Sequence, residues 1–243
     1  MSDAQFFIDG KNIPFQTGQT IMDAAMDAGV YIPHLCHNPD FDSTGSCRLC
    51  LVKLDGRYVT ACTQPAIANS KVENQTTQIN NQRKSLLQML FVEGNHQCPG
   101  CEKSGRCQLQ AVAYYVGMLS PHFTHRYPHR QVDASHPDMV LDYNRCILCG
   151  LCVRASHCAD KKNIFSISGR GIDAKLVINS ASGKLGDSDF SIHDIAASVC
   201  PVGVFLLKNK GYETPIGKRL YDREPISLVG DLAHALKREN AND

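Results

Sequence analysis

Three cysteines stand at intervals of three in Cys146-Ile-Leu-Cys149-Gly-Leu-Cys152, and a fourth follows far downstream in Cys200-Pro201. Outward from that stretch the chain of 243 residues holds 12 cysteines in all. They fall at 36, 47, 50 and 62, at 98, 101 and 107, and at 146, 149, 152, 158 and 200. Disulfide frameworks belong to small secreted domains with a leader peptide. The start, Met1-Ser-Asp-Ala-Gln, carries an acid and no basic region, so no leader is expected and the cysteines are assigned to metal in a cytoplasmic protein. A content of 43% hydrophobic and 20% charged residues fits a folded, soluble chain and excludes disorder. The longest apolar run, 86–92, falls well short of the about 20 residues a membrane span needs. A net charge of +1, no tryptophan and 7% aromatics give no basis for nucleic-acid or anionic-lipid binding.

Local signals divide the chain into modules. Residues 6–8 and 13–15 flank Asp9-Gly10, and Leu51–Leu54 and 58–61 flank Asp55-Gly56, two hairpin turns. Thr20-x-x-Asp23 is a capping box that opens a helix through about Ala28, with Gly29 as its stop. Two hairpins around one helix predict a β-grasp sheet over 1–80, with other α+β arrangements still open. Leu86, Leu87, Leu90 and Phe91 share one helical face that Gly94 ends. Leu109, Val112, Ala113 and Val116 form a second, so 81–120 is predicted to be helical with cysteines in the intervening loop. Segment 121–137, with His122, His125, His129, His136, Arg126 and Arg130, lacks a metal-ligand spacing and is expected to be a solvated or partner-facing connector. The charged stretch 211–243 is expected to be a surface tail.

Each cysteine group has its own chemistry. Cys36, Cys47, Cys50 and Cys62 supply four thiolates, three from a loop and one from the following strand, as a 2Fe–2S centre requires. Gly45 and Ser46 leave room for backbone amides to approach the sulfides. Four thiolates also suit a zinc ion, and a zinc-stabilised interaction scaffold is the alternative of another class, although only one Cys-x2-Cys knuckle is present. His96, Cys98, Cys101 and Cys107 offer three thiolates and an imidazole that a loop could present to a 4Fe–4S cube. The other reading of His96 is a capping or core histidine. Cys146, Cys149, Cys152 and Cys200 follow the bacterial 4Fe–4S pattern, with a remote Cys-Pro completing the run. Cys158 is left as a structural or free thiol. The fold class is α+β: a 2Fe–2S domain over 1–80, a helical 4Fe–4S module over 81–120 and a ferredoxin-like 4Fe–4S domain over 121–210. No G-x-G-x-x-G follows a strand and there is no P-loop, so no nucleotide site and no catalytic residue is expected in the chain.

In this order, the three constellations resemble the N-terminal iron–sulfur region of the large electron-transfer subunit of respiratory NADH:quinone oxidoreductase, a module shared with NAD-linked formate dehydrogenases and soluble hydrogenases. The stretch Glu93-Gly-Asn-His-Gln-Cys98-Pro-Gly-Cys101-Glu-Lys-Ser-Gly-Arg-Cys107 is most similar to the diaphorase small subunit of cytoplasmic NAD-reducing NiFe hydrogenase. So are Tyr31-Ile-Pro-His-Leu-Cys36 and Gly211-Tyr-Glu-Thr-Pro-Ile-Gly-Lys-Arg, and the resemblance implies a chain of about this length. The respiratory proteins space their ligand as His-x3-Cys; His96-x-Cys98 resembles the hydrogenase branch instead. The resemblance implies one 2Fe–2S and two 4Fe–4S clusters, with FMN, NAD and the NiFe centre on partner subunits. Those partners would be a flavin/NAD-binding diaphorase large subunit and the hydrogenase small and large subunits. It further implies an electron-relay role for H2 + NAD+ to NADH + H+, or otherwise the same role in a formate or respiratory NADH dehydrogenase.

Overall fold

The computed structural model describes residues 4–231; the first three residues and 232–243, the end of the expected tail, lie outside them. The Asp9-Gly10 turn joins β1 (Ala4–Ile8) to antiparallel β2 (Lys11–Phe15), and α1 (Ile21–Asp27) follows. Thr20 caps that helix reciprocally: its hydroxyl accepts from the Asp23 amide at 3.2 Å while the Asp23 carboxylate accepts from the Thr20 amide at 3.1 Å. Asp55-Gly56 joins β3 (Leu51–Leu54) to β4 (Arg57–Thr60). A short β5 (Lys71–Glu73) then inserts between the two hairpins, parallel to β1 and antiparallel to β3, giving the order β2-β1-β5-β3-β4. Phe6, Ile8, Ile13 and Val52 from this sheet bury against Ile21, Met22 and Ala25 of α1, forming one apolar core.

A second core serves the rest of the chain. Helix α2 (Thr77–Glu93) begins at a Thr76 cap, and α3 (Gln108–Tyr115) packs beside it through Leu87, Phe91, Leu109 and Val112. The strands β6 (Val132–Asp133), β7 (Met139–Asp142) and β10 (Phe205–Leu207) form a three-stranded sheet in the order β10-β7-β6. Between Cys149 and Cys200 lie α4 (Leu151–Cys158), which carries Cys152, the hairpin β8 (Phe165–Ser168) with β9 (Lys175–Ile178), and the single-turn α5 (Ile195–Ser198). Phe165, Phe190 and Phe205 hold these pieces together, with ring centroids 5.4–6.0 Å apart.

The connector and the tail are more engaged than their composition predicts. Segment 121–137 is largely exposed, yet His136 is buried against Phe190, and the Arg130 guanidinium donates to the Cys146 carbonyl at 3.1 Å. Within 211–231, α6 (Ile226–Val229) sinks Ile226 into the second core. The Tyr221 amide donates to Gly105 O at 2.9 Å, and Asp231 pairs with buried His34 at 3.2 Å. Isolated anchors in a polar segment leave average composition unchanged, so the largely exposed stretch 211–231 reads as a surface tail although Tyr221, Ile226 and Asp231 tie it down. Among the described residues no helix is long and apolar enough to cross a membrane.

Candidate metal centres

All twelve cysteines are free thiols and all lie among the described residues. The first group surrounds the loop before β3. Cys36, Cys50 and Cys62 are almost wholly buried. The Cys47 amide donates to the Cys36 sulfur at 3.4 Å, and the Cys50 and Cys62 sulfurs are 3.4 Å apart. Thiols this close share protons. Hydrogen bonds from Cys47 and Cys62 pull the Cys36 thiol down, and one from Cys62 brings Cys50 to about 7. The same contacts, reinforced by burial, push Cys47 and Cys62 up. Arg48, inside the Cys47–Cys50 turn, has φ +59°, a left-handed conformation uncommon for a side-chain-bearing residue. Gly45 has φ +62°, and a Cβ there would stand 3.3 Å from the Thr63 methyl.

The second group lines a cavity of about 430 Å³ that His96, Cys98, Cys101, Cys107, Arg145 and Gly203 share. His96 packs edge-on against Phe91 at 5.6 Å, and its Nε2 is buried without a hydrogen-bond partner. Burial, helped by Arg145 and Arg130, lowers the imidazole to about 4, so near neutral pH it is the uncharged form that can bind a metal. Gly94 makes room for this ring, since a Cβ there would lie 2.5 Å from His96 Nε2. Burial raises Cys98 and brings Cys107 up to about 12, and neighbouring sulfurs add to both effects.

In the third group Cys146, Cys149, Cys152 and Cys200 line one small apolar cavity with Leu148, Leu176, Val202 and Phe205. Burial raises all four thiols, Cys146 to about 11; the fields of their sister sulfurs oppose ionisation further at Cys146, Cys149 and Cys152. Backbone amides oppose this rise: Leu148 donates to Cys146, Leu151 to Cys149 and Val202 to Cys200. Leu148 takes φ +55°, one position later in its Cys-x2-Cys turn than Arg48 in the first. Cys158 is exposed at the last position of α4.

These donor sets fit iron–sulfur clusters. Buried thiols are costly to ionise alone, and a cationic core takes up their charge. The inward amides and the unpartnered His96 nitrogen are groups such a core would satisfy. Among the described residues no three His, Cys, Asp or Glu side chains converge on a point suited to a single metal ion.

The three groups are also close to one another. A Cβ on Gly203, three residues beyond Cys200, would lie 3.3 Å from the Cys101 sulfur. Basic side chains span these junctions. Arg154 donates to Cys36 O at 2.6 Å and to Cys149 O at 3.3 Å. Arg145 donates to the Cys101 sulfur at 3.4 Å and pairs with Glu102 and Asp142, each at 2.8 Å. No sequence signal marks these arginines, because most of their acceptors are backbone carbonyls or sulfurs remote in the chain. His34 and His37 were missed too. Their rings meet at 5.5 Å beside Cys36, and His37 Nδ1 is 2.8 Å from the Ser43 hydroxyl.

Family models match three successive stretches: a 2Fe-2S iron-sulfur cluster binding domain over residues 2–77, the NADH-ubiquinone oxidoreductase-G iron-sulfur binding region over 83–122, and a 4Fe-4S single cluster domain over 139–207. The chain therefore carries one 2Fe–2S domain and 4Fe–4S regions on a mixed α/β framework. It is 32% identical over 203 residues to the NADPH-Fe(3+) oxidoreductase subunit alpha of Geobacter sulfurreducens, spanning 24% of that protein. It is 31% identical to the NADH-ubiquinone oxidoreductase 75 kDa subunit of Reclinomonas americana, spanning 29% of it. A crystal structure of NAD+-reducing NiFe-hydrogenase in the H2-reduced state contains a chain 50% identical, with a TM-score of 0.92 over 96% of this chain and 99% of that one. The NAD-reducing hydrogenase HoxS subunit gamma of Cupriavidus necator is 41% identical across 91% of this chain and 94% of its own length. On that similarity the chain belongs to the family of the NAD-reducing hydrogenase HoxS gamma subunit.

Proposed function

We propose that the chain is the electron-relay iron–sulfur subunit of an NAD-reducing hydrogenase. It would pass single electrons between a NiFe hydrogenase module and a flavin/NAD diaphorase subunit, so that H2 and NAD+ give NADH and H+. The observation that carries this reading is the contiguity of the three donor sets, with Arg154 joining Cys36 O to Cys149 O on one side and Gly203 beside the Cys101 sulfur on the other.

The ligands are Cys36, Cys47, Cys50 and Cys62 for the 2Fe–2S cluster, His96, Cys98, Cys101 and Cys107 for one 4Fe–4S cluster, and Cys146, Cys149, Cys152 and Cys200 for the other. The five-stranded sheet with α1 across it serves as a β-grasp domain over 1–80. The helical pair forms a module over 81–120, the smaller sheets a ferredoxin-like domain over 121–210, and 211–243 a C-terminal extension. When bound, each cluster takes up and gives back one electron. The protein's residues hold these groups near one another, exclude water with Leu148, Val202 and Phe205, and direct amides and arginines at the sulfurs. No acid or base side chain is required. The partners are a flavin/NAD-binding diaphorase large subunit and hydrogenase small and large subunits in the cytoplasm, and FMN, NAD and the NiFe centre lie on them.

Co-expression with these partners tests the reading. The assembled complex reduces NAD+ with H2, and omission of this chain abolishes that turnover while each partner keeps its half-reaction with artificial dyes. The isolated chain shows iron–sulfur absorbance and no turnover. A colourless chain that binds zinc in place of iron and sulfide would sink the proposal.

A further inference from the structure

Helix α2 carries one cation into the interior. Arg83 is 0% exposed, and its guanidinium spends its donors on neutral oxygens. Nε donates to Leu49 O at 3.1 Å, and Nη2 donates to Leu51 O at 2.8 Å and Asn74 Oδ1 at 2.7 Å. Nη1 donates to Asn74 O at 2.8 Å and Asn80 Oδ1 at 3.2 Å. Leu49 and Leu51 are the neighbours of Cys50, so two bonds from one planar group clamp the backbone on both sides of that sulfur. The planar fork of arginine suits this work, whereas a lysine ammonium could not reach the same carbonyls together.

Among the described residues no carboxylate forms an ion pair with Arg83. Asp9 acts on it only from a greater distance, its Oδ1 being occupied by the Asn74 amide at 2.8 Å. A buried unit charge without a paired anion is strongly unfavourable even after relaxation. Carbonyl dipoles offset part of that cost and cannot neutralise the charge. Burial accordingly draws the guanidinium down to about 10, against the opposing fields of Tyr115, the Cys50 sulfur and Tyr31. Cys50, itself 0% exposed, belongs to a group of four thiols that a 2Fe–2S core would leave with a net negative charge.

We propose that Arg83 is the buried counter-cation of the first cluster, a positioning residue that fixes the Cys50 segment and raises that cluster's reduction potential. The direction follows from charge: the reduced cluster is one unit more negative than the oxidised one, so a nearby fixed cation favours it. The inference rests on the assignment of Cys36, Cys47, Cys50 and Cys62 to a 2Fe–2S cluster.

An EPR-monitored redox titration of the full chain in its native complex tests it, with Arg83→Met, Arg83→Lys and Asn74→Asp against the unaltered protein. Asn74→Asp removes no side chain and sets a carboxylate against the guanidinium at the present 2.7 Å oxygen position, so it answers even where Arg83→Met fails to fold. At the wild-type midpoint, Arg83→Met and Asn74→Asp are expected to lower the reduced-to-oxidised ratio of the 2Fe–2S signal about tenfold, a fall of about 59 mV for a one-electron couple. Arg83→Lys recovers most of it, and both 4Fe–4S midpoints stay in place. An unchanged 2Fe–2S midpoint in Asn74→Asp, or an Arg83→Lys midpoint as low as that of a neutral replacement, overturns the role of Arg83 and leaves the ligand assignment standing. The absence of any 2Fe–2S signal from the unaltered complex overturns the ligand assignment itself.

Discussion

The guanidinium of Arg154 donates 2.6 Å to the backbone oxygen of Cys36, across 118 positions of sequence. The same side chain reaches Asp42 O at 2.5 Å and Cys149 O and Gly150 O at 3.3 Å each. One residue thus ties the first donor loop to the third. Each bond from a charged donor contributes about 1.5–3 kcal/mol, less where water competes. Arg154→Ala is expected to destabilise the chain by about 2 kcal/mol in chemical denaturation, to keep both EPR signals, and to slow electron exchange between those two clusters in freeze-quench experiments.

Cys200 and Cys158 offer a matched pair of substitutions. Cys200 is buried and lines one cavity with Cys146, Cys149 and Cys152, whereas Cys158 is exposed on α4. Cys200→Ser is expected to damage the 4Fe–4S cluster held by that group and to spare the 2Fe–2S signal. Cys158→Ser should leave all three signals intact; the loss of one would place Cys158 among the ligands.

Gly94 gives access to His96 without touching it. The Gly94 backbone sits at φ −121°, ψ 169°, an extended conformation open to any residue, so alanine acts there only through its methyl group. That methyl would fall 2.5 Å from His96 Nε2. Gly94→Ala is expected to displace the imidazole, cost about 1–3 kcal/mol and shift the second cluster's potential in the same direction as His96→Ala. A wild-type potential in both variants would show that the imidazole is not bound to iron.

Removal of iron should unfold more than the donor loops. Cys107, Cys152 and Cys200 belong to the second apolar core, and ligand binding free energy in such sites is folding free energy. The holoprotein is expected to release about ten iron and ten sulfide per chain, from one 2Fe–2S and two 4Fe–4S clusters. Chelation under reducing acid should then broaden the unfolding transition and expose apolar surface to a fluorescent dye.

Local chemistry was legible in the sequence. The Asp9-Gly10 and Asp55-Gly56 turns, the Thr20–Asp23 cap and the Gly94 stop each depend on residues within a few positions of one another. The Cys-x2-Cys spacings at 47–50, 98–101 and 146–149 are local in the same way. What escaped depends on partners far away. Helix α2 starts at Thr77, ahead of the expected 81, where Ile79 is its one apolar residue in the first turn and is buried only by packing against the rest of the fold. Strand β5 exists by pairing with β1 and β3, a relation that three residues in isolation do not announce. Arg83, Arg145 and Arg154 read as ordinary surface cations until the fold brings carbonyls and sulfurs to them.

The contact between Asp231 and His34 spans 197 positions and sits beside the loop that carries Cys36. A ribosome releases the N-terminal sheet long before it delivers the other half of this clasp. Until the ribosome has delivered Asp231, the loop that carries Cys36 lacks this latch and stays open to cofactor delivery.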